Sequence, residues 1–146
     1  MTTIRASLAV LCLTVLLSTL TVGQGNSSMD RRAARKASDA FMADLVANRI
    51  SNAIEKTEHP DPKVALSQFA LMLDGCGRPI ESKIANDGSP VPGDEVQSDG
   101  TKKSTLNFLY TFKSERHSDW VFYVEVWLAD DAKYHVHSWG CHAASK

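Results

Sequence analysis

Three stretches of different hydrophobic pattern divide the chain. The first, Leu8 to Leu20, reads LAVLCLTVLLSTL and carries no charge. Arg5 precedes it, and the small residues Thr21, Gly23 and Gly25 follow. This order is that of a secretory signal peptide cleaved after Gly23 or Gly25. The run is about 13 residues, short of the roughly 20 that span a bilayer. We therefore expect 1–25 to be an export signal and 26–146 to form one domain.

The second stretch has helical spacing. Residues 29–57 lack Gly and Pro, and Met42, Leu45, Val46, Arg49, Ile50, Ala53 and Ile54 recur at three- and four-residue steps. That spacing predicts one long helix. Its first turns are basic (Arg31, Arg32, Arg35, Lys36) and read as a solvated helix end, diluted further on by Asp39, Asp44 and Glu55. His59-Pro60-Asp61-Pro62 stops it. Asp61 can cap a second, short helix with Pro62 in its first turn. This helix runs to about Leu73 and carries Val64, Leu66, Phe69, Ala70, Met72 and Leu73; Asp74-Gly75 is expected to end it.

The third stretch alternates. Residues 79–85 alternate Ile80, Ser82 and Ile84, which predicts a short extra strand. A breaker-rich loop is expected next, with Asp87-Gly88, Pro90, Pro92-Gly93 and Asp99-Gly100. Then Leu106, Phe108, Tyr110 and Phe112 alternate with Asn107, Leu109 and Thr111. Trp120, Phe122, Val124, Val126 and Leu128 alternate with Val121, Tyr123, Glu125 and Trp127, and 133–142 makes a third strand. Short turns at 116–118 and 130–132 join the three as an antiparallel meander. The expected fold class is α+β: a long N-terminal helix and a short second helix on one face of a curled antiparallel sheet.

The last hairpin decides which side chains share a face. If Ala129 pairs with Lys133 around a three-residue loop, Glu125 lies opposite His137 and Trp127 opposite His135. A two- or four-residue loop instead sets Val124 opposite His137 and turns the histidines toward Phe122 and Val126. The first register is the better hydrophobic solution, because it leaves one apolar face for the helices. It gathers Tyr123, Glu125, Trp127, His135, His137 and Trp139 on the other face, with Cys141 beside them. Such an aromatic face suits an interaction surface or a homodimer interface.

Composition narrows the choice of function. Hydrophobic residues are 43% of 146, as in an ordinary globular domain. Sixteen Lys+Arg against seventeen Asp+Glu give a net charge of −1, which argues against nucleic acid. Cys12 leaves with the signal, and Cys76 and Cys141 remain as an even pair suited to a disulfide in an exported chain. The alternative is two buried thiols. Closing a loop of about 64 residues contributes up to roughly 4 kcal/mol in the chain-entropy model.

His135 and His137, with Glu125 as third ligand or general base, have the chemistry of a zinc or copper site. The plainer reading is a cross-strand Glu–His contact on a wet face. No Gly-x-Ser-x-Gly elbow and no phosphate-binding glycine loop occur. The leading expectation is an exported, non-catalytic domain that binds a protein or small molecule and needs no cofactor. The alternative is an exported metal-binding or hydrolytic protein using the His-x-His strand.

The long helix, the second helix, the break Asp74-Gly75-Cys76-Gly77 and the aromatic hairpins together resemble small exported domains of the nuclear transport factor 2-like and cystatin-like class. The resemblance covers roughly residues 30–142. The cystatin loop Gln-x-Val-x-Gly is absent, and no Asp/Tyr set of the ketosteroid isomerase kind can be placed. What the resemblance implies is a fold, often with a conical pocket or a sheet-mediated dimer.

Overall fold

The computed structural model describes residues 29–58 and 61–144. The expected signal peptide and its cleavage site lie outside them. Three helices, α1 (Arg31–Val46), α2 (Ile50–Glu55) and α3 (Pro62–Cys76), pack against an open antiparallel sheet. Its strands are β1 (Pro79–Ile84), β2 (Val91–Val96), β3 (Lys102–Ser114), β4 (Trp120–Leu128) and β5 (Tyr134–Ala143). The fold is α+β, and β3, β4 and β5 form the expected meander. Among the described residues, no helix is long and apolar enough to cross a membrane.

The single long helix is in fact two. Asp30 caps α1, its carboxylate accepting from the Arg32 and Ala33 N–H groups at 2.9 and 3.1 Å. The helix ends at Ala47, and Asn48 takes a left-handed conformation with φ 56°. Asn tolerates that region better than most side chains, so a break is possible without Gly or Pro. Asp44 holds the two pieces together. Its side chain is only 7% exposed and accepts from Arg49 Nε at 2.8 Å and Lys56 Nζ at 2.5 Å. Lys56, and then Arg49, hold the Asp44 carboxyl below its ordinary pKa, against the opposing effect of burial.

The second helix also differs from expectation at its end. Asp61 accepts from Lys63 N–H at 2.8 Å, as a cap should. The helix then runs through Gly75 to Cys76, and Gly77, at φ 72°, makes the exit. Added there, a Cβ would come within 2.8 Å of Ser114 Oγ, so both conformation and space require glycine.

β1 and β2 lie end to end along one edge of the long β3. Ile84 pairs with Tyr110 and Pro79 with Ser114, while Val91 pairs with Asn107 and Val96 with Lys102. Between them the chain kinks at Asn86 and Asp87, both at positive φ. β2 lies in the segment expected to be a loop. Pro92 and Gly93 would disfavour a central strand, but an edge strand can turn the missing N–H toward solvent.

Phe41, Met42, Leu45 and Phe69 from the helices meet Phe108, Phe112, Phe122, Val124, Val126 and Val136 from the sheet in one buried core. The buried Tyr110 hydroxyl donates to Asp39 at 2.8 Å and lies 2.7 Å from Ser38 Oγ. Burial, above all, raises the pKa of that phenol. The Cys76–Cys141 disulfide ties the end of α3 to β5, with 6.0 Å between Cα atoms.

Candidate functional site on the outer sheet face

The β4–β5 hairpin closes with Ala129 N–H donating to Lys133 O at 2.8 Å, around the expected three-residue loop. Ala132, last in the loop, is left-handed at φ 61°, as such loops require. Trp127 therefore faces His135, and Val126 faces Val136. Beyond that point the register slips at a β-bulge, so Glu125 pairs with Ser138 rather than His137, and Val124 pairs with Trp139.

The bulge corrects the expected face. Every residue after His137 changes side, so Trp139 and Cys141 turn to the helices. Trp139 packs against Phe69 and Phe41, with ring centroids 4.8 and 5.7 Å away. Cys141 meets Cys76 there. The sequence carried a clue: a Cys141 on the face of His135 could not have reached a cysteine on a helix packed against the opposite face. An inserted residue reconciles the disulfide with the position of His135.

Tyr123, Glu125, Trp127, His135 and His137 remain on the outer face, but Trp127 is not a surface residue. It is 6% exposed. His137 stacks on it with ring centroids 3.9 Å apart, and the Lys103 ammonium lies 4.5 Å from its ring centre. His137 Nε2 stands 3.7 Å from Glu95 Oε1, so side chains from β5 and β2 meet across the sheet. Glu125 accepts from the buried Thr105 hydroxyl at 2.7 Å. Gly93 leaves room for that bond, since a Cβ there would stand 2.9 Å from Thr105 Oγ1. Tyr123 lies down over Gly140, where a Cβ would meet its ring at 2.8 Å.

The three residues expected to bind metal are thus engaged separately. His135 Nε2 turns to Asp131, 3.0 Å from Oδ2. That contact, with the Lys133 N–H, lowers the pKa of Asp131. His137 lies on Trp127, and Glu125 faces Thr105. Among the described residues, no group of three or more His, Cys, Asp or Glu side chains is arranged to hold a metal ion. Among the described residues, three buried polar atoms near these side chains have no partner: Asn107 Oδ1, Trp127 Nε1 and His135 Nδ1.

Sequence reasoning missed Glu95, Gly93, Lys103, Thr105 and Asn107. The alternation in 106–112, continued backward along the same strand, was a usable signal for the last three. The first two lie on the strand hidden by Pro92 and Gly93.

Together these features define a helix-on-sheet domain whose second face is a partly buried aromatic and polar surface. No family model, curated protein or solved structure matches the chain.

Proposed function

We propose that this is an exported, non-catalytic binding domain of the nuclear transport factor 2-like or cystatin-like kind, working through its outer sheet face. One observation carries the reading. Outside the Trp127 cluster, Leu109, Val121 and Tyr123 lie half-buried on adjacent positions of β3 and β4, with the exposed Val91 on β2 beside them. A half-exposed apolar and aromatic patch on a sheet is the composition of a protein interface. The disulfide is compatible with export. A second copy is the simplest partner, because a two-fold interface needs only one self-complementary surface.

Sedimentation velocity of the exported protein tests this. We expect a dimer that dissociates on Leu109→Lys with near-ultraviolet circular dichroism unchanged. A sedimentation coefficient unmoved by Leu109→Lys would overturn the homodimer form of the reading.

A further inference from the structure

The outer edge of β5 is a second unfinished surface, separate from the sheet face. At Val136 the edge is already used. Val136 N–H donates to Lys56 O at 2.9 Å, and Val136 O accepts from Glu58 N–H at 3.3 Å. This is a parallel bridge centred on Thr57.

Further along β5 the same edge is unpaired among the described residues. The backbone N–H and C=O of Val136 point away from β4, and past the bulge the alternation of an antiparallel pair turns the backbone groups of Trp139 and Cys141 to the same edge. Among the described residues these outward groups have no hydrogen-bond partner. Beside them lies a groove of about 470 Å³, lined by Gln68, Leu71 and Met72 of α3 and by His137, Ser138 and Trp139 of β5. Leu71 is 75% exposed, the most of any large apolar side chain among the described residues.

We propose that this groove receives an extended segment of another polypeptide, added to β5 as a parallel strand in line with residues 56–58. The free edge supplies main-chain hydrogen bonds at the regular spacing of a strand, which a polypeptide matches along its length. Leu71 and Met72 seat an apolar side chain on the helix side. Side chains alternate along a strand, so the segment recognised is apolar–polar–apolar with its apolar positions toward α3. His137 is the only titratable side chain in the lining, so recognition rests on backbone and shape rather than on charge.

The probe is the peptide acetyl-Lys-Thr-Val-Thr-Val-Thr-Lys-amide, titrated into the isotope-labelled exported protein. The readout is amide hydrogen exchange at Trp139 and Cys141. We expect exchange there to slow about tenfold at saturation. Methylating alternate peptide nitrogens, or Leu71→Lys in the protein, should each weaken binding about tenfold. Leu71 is exposed, so its replacement leaves the core intact, and Leu109→Lys on the sheet face should leave this readout unmoved. Unchanged exchange overturns the proposal. So does slowing that survives both N-methylation and Leu71→Lys. Slowing that grows with protein concentration alone, without peptide, would assign the edge to a second copy and overturn it too.

Discussion

On the helix side of the sheet, Phe108, Phe122, Val124 and Val126 meet Phe41, Met42, Leu45 and Phe69, and the polar groups nearby are paired. Tyr110 has Ser38 and Asp39; Asp44 has Arg49 and Lys56. On the opposite side of the same strands, Thr105 and Trp127 are as fully covered, but by His137, Lys103 and Glu125 rather than by a second layer of helices. There, among the described residues, Asn107, Trp127 and His135 each have a polar atom without a partner. Unpaired buried polar atoms lower stability, so this face contributes less to it than the inner one. The helix face closes the fold with its polar groups paired, whereas the outer face leaves these three atoms without a protein partner among the described residues.

Four substitutions break or sharpen this contrast. The largest effect belongs to the helix side. Phe122→Ala should remove about 4 kcal/mol, read by urea denaturation with the disulfide intact. If it removes less than about 2, the core is not where the packing energy sits.

Next, Asp44→Asn should lose about 2 kcal/mol at neutral pH by weakening two charge-assisted bonds. The folded carboxyl has a lowered pKa. Its contribution is therefore full above the unfolded value near 4 and fades as pH falls through the folded one. Stability curves of the variant and the parent should converge below about pH 4. Curves that stay parallel would show that Asp44 is not the linked group.

A smaller loss, about 1 kcal/mol, is expected for Ser38→Ala, which takes one partner from the Tyr110 hydroxyl. The smallest effect has the opposite sign. Asn107→Val removes an unpaired oxygen without adding another and places a β-branched residue in the middle of a strand, so it should gain about 0.5 kcal/mol. A loss in its place would mean that Asn107 is bonded in solution and that the outer face is as well satisfied as the inner.

Much of this contrast was legible in the chain. Even-numbered residues from Leu106 to Phe112 and from Phe122 to Val126 do form the inner face, and the three-residue hairpin loop follows from choosing the better apolar face. The helical break was not legible, because Asn48 bends the chain through a conformation that Asn merely tolerates. Nor was the bulge. Residues 135, 137, 139 and 141 keep a strict alternation in sequence whether or not the pairing slips, so parity alone assigns all four to one side. Only a long-range constraint, the bond from Cys141 to Cys76, distinguishes the two arrangements. β2 was obscured because edge strands accept the residues that usually announce a loop.

That bond also changes how the molecule would answer to force. Cys76 and Cys141 lie 65 positions apart, and the covalent ring between them holds β1 through β4 and most of β5. Pulled from its two ends, the oxidised chain can pay out α1, α2, α3 and a short tail, while the sheet stays inside a closed loop that carries no tension of its own. Cutting the bond would release about 220 Å of further contour, at roughly 3.4 Å per residue. The sheet is thus mechanically shielded by a single link, and a reductant would act on its extensibility before it altered any strand.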